Sequence, residues 1–142
     1  MVENSLIAFL QILEMISESN KSLRELTEEG RSKFPVTGEY NFVLPEFAAT
    51  DDLTPEAMSV MNKILDKVKE KYSDGEVSDF DTLTVSYPDW NFNLRPSAND
   101  PLLRFTAEAT KKDLLLEKKG EIISFLEKEG CKYLNDSGVE LL

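Results

Sequence analysis

Trp90-Asn91-Phe92-Asn93-Leu94-Arg95-Pro96-Ser97-Ala98-Asn99-Asp100-Pro101-Leu102-Leu103-Arg104 is the stretch on which the reading of this chain turns. Trp90, Phe92 and Leu94 alternate with Asn91 and Asn93. Beyond the loop, Leu103, Phe105 and Ala107 point one way while Arg104, Thr106 and Glu108 point the other. A period of two marks strands with one buried and one open face, so Arg95–Pro101 is a tight loop between two strands. That loop brings an arginine, a hydroxyl and an amide within five positions. Arg95 offers a planar fork of donors that matches a phosphate edge, and Ser97 and Asn99 add neutral donors. Backbone N–H groups in a tight turn can also form a concave anion site. Pro, Ser, Asn and Asp are equally the residues of any connection between strands. Spacing alone therefore leaves two readings open, an anion grip and an ordinary turn.

Upstream, Leu83, Val85 and Tyr87 alternate with Thr82, Thr84 and Ser86 and predict a third strand, with Pro88-Asp89 turning the chain into Trp90. Ser73-Asp74-Gly75 ends a helix that Thr54 and Pro55 open as N-cap and first-turn residue. Ala57, Met61, Ile64, Leu65, Val68 and Tyr72 share one face of that helix, and Lys63, Asp66, Lys67, Lys69 and Glu70 form its solvated side. Tyr40 to Leu44 is a further short strand. After Ala109 a last helix is expected to open at Thr110 and run to about Glu129, burying Leu115, Ile122 and Leu126. Gly130 stops it, and the tail to Leu142 is expected to be loosely held. From residue 36 the order is strand, helix, three strands, helix. The fold class is thus α+β: a four-stranded antiparallel sheet with two helices on one face.

Ahead of this lies a helical hairpin. Residues 5–19 carry Leu6, Ile7, Phe9, Leu10, Ile12, Leu13, Met15 and Ile16, more apolar surface than one stripe requires. Ser22 with Glu25 three positions on has capping-box spacing, and Gly30 is expected to end the second helix. Pro35 and Gly38 mark a linker. The expected division is 1–35 for the hairpin and 36–142 for the sheet domain. So apolar a hairpin needs a partner, either the rest of this chain or a preceding domain.

Composition narrows the function. With 16 basic and 27 acidic side chains the formal charge is −11, which argues against nucleic acid or an anionic membrane as partner. The chain has no histidine and one cysteine, Cys131. Ser–His–Asp chemistry and the usual zinc constellations are excluded on that ground. A single thiol cannot form an internal bridge, which fits a reducing cytoplasm. No run approaches the roughly 20 apolar residues of a membrane span, and the N-terminus lacks signal-peptide features. The expectation is a soluble, acidic, cytoplasmic chain. Trp90, alternating with Phe92 and Leu94, reads as core rather than as a sugar-stacking platform. Glu39 has no paired carboxylate and reads as a residue leading into a strand.

The passage WNFNLRPSANDPLLRFTAEA from Trp90 to Ala109 resembles the C-terminal domain of the phosphohexomutases, the phosphomannomutase and phosphoglucomutase superfamily. That family carries a tryptophan, a short strand, R-P-S-(N or G)-T-E-P, then an apolar strand ending in Glu-Ala. LIAFLQILEMISESNKSLRELTEEG followed by FPVTGEYNF is similar to its helical hairpin and the start of its last domain. ILDKVKEKYSDGEVSDFDTLTVSYPDWNF fits the helix, turn and strand before the phosphate loop. The resemblance covers nearly the whole chain, although members run to four domains in a chain roughly three times as long.

The resemblance implies a TATA-binding-protein-like fold for the final domain, and a hairpin that completes the preceding one. It implies reversible transfer of phosphate between the 1- and 6-positions of a hexose, with catalysis and Mg²⁺ supplied by other domains of the full-length enzyme. No catalytic residue, metal ligand or cofactor is expected in this chain. By position, Arg95 is the principal ligand of the non-reacting phosphate, Ser97 a hydroxyl donor, and Asn99 stands where the family has threonine. Ala98 replaces asparagine or glycine and leaves only its backbone N–H. Asp100 replaces glutamate and is expected to order the loop, and Arg104 to support it. The implied partners are a hexose 1- or 6-phosphate, the bisphosphate intermediate, and the preceding domains of the same enzyme. A free-standing module that binds phosphometabolites or a protein is the competing expectation. The identity of the hexose and the oligomeric state are not encoded in these motifs.

Overall fold

A computed structural model describes residues 5–79 and 81–134, the side chains of residues 29, 31 and 32 apart. The chain divides into two compact units, Met1–Phe34 and Pro35–Leu142.

The first unit is a pair of helices, α1 (Ser5–Ser19) and α2 (Leu23–Lys33). The capping box at the start of α2 is complete: Ser22 Oγ accepts from the Glu25 N–H, and the Glu25 carboxylate accepts from the Ser22 N–H at 2.7 Å. Gly30 does not end α2. It lacks the positive φ of a glycine cap, and the helix runs on until Pro35 forces Phe34 out of helical conformation, at φ −133 and ψ 82. Leu6, Ile7, Phe9, Leu10, Ile12, Leu13 and Met15 are all exposed, and no α1 residue is buried.

The second unit is an open antiparallel sheet with helices on one face. Its strands are β1 (Tyr40–Val43), β2 (Glu76–Ser78), β3 (Leu83–Ser86), β4 (Trp90–Pro96), β5 (Leu102–Ala109) and β6 (Lys132–Leu134), in the order β2-β3-β4-β5-β1-β6. Four strands are those expected from the sequence, three of them by their alternation. The two additional ones are edge strands of three residues each, too short for a period of two to register. Residues 132–134, expected in a loose tail, pair with β1. The rest of that tail, 135–142, lies outside the described residues.

Helix α3 (Pro55–Lys71) starts where Thr54 Oγ1 accepts from the Ala57 N–H, with Pro55 at the first turn. It buries Ala57, Met61, Ile64, Leu65 and Val68. Helix α4 (Lys112–Lys128) buries Leu115, Ile122 and Leu126. Thr110 does not cap α4: its N–H goes to the Asp89 carbonyl, and the helix begins two residues later without a side-chain cap. Both helices pack on the face formed by Tyr40, Phe42, Leu83, Val85, Trp90, Phe92, Leu94, Leu103, Phe105 and Ala107. Trp90 is a core residue, stacked between Tyr87 at 4.7 Å and Phe92 at 5.6 Å. The opposite face of β3, β4 and β5 presents Thr84, Asn93, Arg95, Arg104 and Thr106, all half-buried. No helix among the described residues is long and apolar enough to cross a membrane.

Candidate functional site

β4 and β5 run antiparallel in a register that sets Arg95 directly opposite Arg104. Directly opposed residues project from the same face of a sheet, so two guanidinium groups meet on the helix-free side. Like charges in such a pair repel, by an amount comparable to the ~0.2–1 kcal/mol of a favourable cross-strand contact. The structure offsets this with one carboxylate. Glu39 Oε2 accepts from Arg95 Nη2 at 3.1 Å, and Glu39 Oε1 lies 3.5 Å from Arg104 Nη1.

Glu39 reaches both because the segment before β1 continues alongside β5. The Thr37 N–H donates to the Ala107 carbonyl, Thr37 Oγ1 accepts from the Ala107 N–H, and Tyr40 pairs with Phe105. In the sequence Glu39 shows only as a residue leading into a strand, and the fold gives it this bridging position. A second carboxylate approaches from the turn before β3, where Asp81 Oδ2 lies 3.6 Å from Arg95 Nη1. Asp81 and Thr82 both have left-handed backbones, φ 52 and 77. Asn93 Nδ2 donates to the Asp81 carbonyl at 2.9 Å and to Thr84 Oγ1 at 3.1 Å, tying this turn to β4. Asp81, Thr84, Asn93, Arg95, Arg104 and Thr106 line an open cleft of about 300 Å³.

The loop between β4 and β5 is closed by the Ser97 N–H on the Leu102 carbonyl and the Leu102 N–H on the Asp100 carbonyl, both at 2.8 Å. Ser97 is buried, 3% exposed. Its hydroxyl donates to Asp100 Oδ2 at 3.0 Å and accepts from Arg104 Nη2 at 3.3 Å and from the Asn99 N–H at 3.4 Å. Ser97 thus links the loop to the arginine pair. Ala98 and Asn99 form the exposed tip and do not line the cleft. The Nε of Arg104, shielded from solvent, has no hydrogen-bond partner. Of the sequence-derived residues, Arg95, Ser97, Asp100 and Arg104 are drawn into one connected group. Glu39 and Asp81 join it from distant parts of the chain.

Two guanidinium groups are thus fixed side by side on a sheet face, and a guanidinium is a group whose fork of donors matches an oxyanion edge. Among the described residues no three acidic or thiol side chains converge as metal ligands. Cys131 is buried and its thiol is pushed up to about 11, first by burial and then by the nearby Glu129 charge, which disfavours the thiolate at neutral pH.

No protein-family model matches the chain. Among curated proteins it is similar to a phosphomannomutase of Methanocaldococcus jannaschii, 34% identical over 126 residues, covering 89% of this chain and 25% of that protein. Phosphohexose mutases of Xanthomonas campestris are 36% identical over 125 residues, 87% of this chain and 25% of theirs. A phosphomannomutase of Escherichia coli is 27% identical over 123 residues, 85% of this chain and 24% of its own length. The chain spans about a quarter of the length of the relatives it matches.

Proposed function

This chain belongs, as a quarter-length part, to the phosphohexomutases, and on that kinship we propose that it holds the non-reacting phosphate of a hexose phosphate while other parts of the enzyme move the second phosphate between the 1- and 6-positions. The observation that carries the reading is the pair of opposed arginines on the open face of the sheet. A phosphate edge offers two oxygens to the Arg95 fork, and the neighbouring Arg104 adds charge and hydrogen bonds to the same group.

In this reading Ser97 and the N–H groups of Ala98 and Asn99 complete the donor set, the Ser97 hydroxyl and the Asn99 N–H exchanging their bonds to Asp100 and to Ser97 Oγ for the phosphate. Binding at a distance from the reacting centre lowers the barrier by fixing the sugar in line with the phosphoryl group that transfers. A phosphate also suits a site that must accept the sugar in two orientations, because its oxygens present much the same target either way. Mg²⁺ belongs, in this reading, to the parts of the enzyme outside the chain. Alone, the chain binds without turning over. The exposed apolar side of α1 is the surface that would complete the preceding domain.

The test is a calorimetric titration with mannose 6-phosphate of the wild-type chain and of Arg95→Ala. Wild type should bind, and the variant should lose binding while keeping its circular dichroism. Equal affinities would remove Arg95 from the phosphate site.

A further inference from the structure

We propose that Glu39 is a built-in counter-anion, a carboxylate that holds the two guanidinium groups a phosphate would take and yields them to it. The inference rests on the phosphate reading of this site. Both Nη groups of Arg95 are directed at carboxylates, Nη2 at Glu39 and Nη1 at Asp81. The two arginines and two carboxylates sum to no net formal charge, so an incoming dianion gains little attraction until one carboxylate turns away. Glu39 is the one whose departure matters. It contacts both arginines, so its withdrawal frees a donor on each at once, whereas Asp81 contacts Arg95 alone and at the longer distance.

The exchange conserves geometry. A carboxylate and one edge of a phosphate present the same pair of oxygens to a guanidinium. Glu39 is a third exposed, and its backbone is anchored on either side by Thr37 and Tyr40. Its side chain can therefore swing about its own torsions while β1 stays in place. Arg104 remains incompletely satisfied with Glu39 in position, its Nε having no acceptor. An ion with oxygens on more than one edge meets that need better than a flat carboxylate. Meanwhile Glu39 keeps two like charges from opposing each other uncompensated in the register of β4 and β5.

The test is a titration of inorganic phosphate at pH 8 into the wild-type chain, Glu39→Gln and Asp81→Asn. Glu39→Gln retains size and an acceptor but removes the competing charge, and should tighten phosphate binding about five- to tenfold. Asp81→Asn should tighten it less than about threefold. If Glu39→Gln weakens binding or leaves it unchanged, Glu39 only positions the arginines and the exchange is overturned. If wild type and Glu39→Gln are both folded and neither binds phosphate, the phosphate reading itself falls and the counter-anion with it. Should Glu39→Gln fail to fold, a crystal structure of the wild-type chain with saturating phosphate decides. Phosphate on Arg95 with Glu39 moved away supports the exchange, and Glu39 still on Arg95 Nη2 overturns it.

Discussion

Replacing Ser97 with alanine should destabilise the sheet unit by about 1.5–2 kcal/mol, and the figure follows from what the hydroxyl touches. It donates to the Asp100 carboxylate at 3.0 Å and accepts from a guanidinium at 3.3 Å and a backbone N–H at 3.4 Å. A neutral hydrogen bond contributes about 0.5–1.5 kcal/mol net, and one to a charged group about 1.5–3. Asp100 and Arg104 are only half-buried, so water can replace the hydroxyl at both, which places the sum near the lower end of those ranges. For a unit of this size the loss should appear as a fall in Tm of about 8 °C. Urea denaturation followed by far-ultraviolet circular dichroism measures it directly, with Asn99→Ala as control because only the backbone N–H of Asn99 meets Ser97. A loss below about 0.5 kcal/mol, or an equal loss in the control, would refute the view that Ser97 organises this loop.

Three further outcomes are expected. Gly75→Ala should cost about 1–3 kcal/mol in the same urea assay, because the new methyl would lie 2.7 Å from Val85 Cγ1 and 2.8 Å from Tyr87 Cζ, which is overpacking. Thr54→Ala should cost about 1 kcal/mol by removing the hydrogen bond to the Ala57 N–H that caps α3. The Cys131 thiol is raised from 9.0 to about 11 by burial and then by Glu129, so the stability it contributes is complete below pH 9 and is lost as pH rises towards 11. Stability measured at pH 8, 9 and 10 should fall less steeply in Cys131→Ala than in wild type. Burial, and then the Glu121 and Asp74 carboxylates respectively, also raise the phenols of Tyr72 and Tyr87, adding a loss above pH 10 in both proteins.

The hairpin that decides the fold was legible because its alternation is long and its loop is rich in turn formers. α3 was legible for the same kind of reason, since Thr54-Pro55 announces it and six residues mark its buried face. The three-residue strands Glu76–Ser78 and Lys132–Leu134 gave no such signal: pairing with a neighbour already in place defines them, not a pattern of their own. Gly30 and Thr110 show the opposite failure. Each is a residue of the right kind for a boundary, yet α2 runs past Gly30 to the segment before Pro35, and α4 takes Lys111 as its N-cap while the Thr110 N–H pairs with the Asp89 carbonyl.

At the site, Arg95 stood out beside the turn formers that follow it, although it and Pro96 belong to β4 and not to the expected loop, whereas Glu39 did not, being 56 positions away and brought in only by the pairing of β1 with β5. Asp81 was equally hidden, since its approach depends on a left-handed turn that neighbouring residues do not foretell. The apposition of Arg95 with Arg104 was in principle deducible from the hairpin register. Alternation alone, however, puts Arg104 on a strand face and leaves its partner across the loop unspecified.

That apposition sets which insertions and deletions the chain can survive. Arg95 and Arg104 share a face only because the hairpin pairs them in register, while Leu94, Leu103 and Phe105 share the other. Removing one residue from β4 or β5 would turn one arginine inward and one large apolar side chain outward, because a strand alternates with a period of two. The arginine pair and the packing beneath it would be lost together. One residue added at Ala98 or Asn99, at the exposed tip, would leave both strands in phase. Length variation in this hairpin is therefore confined to the tip, so evolution can reshape the loop but cannot separate the arginine pair from the packing beneath it.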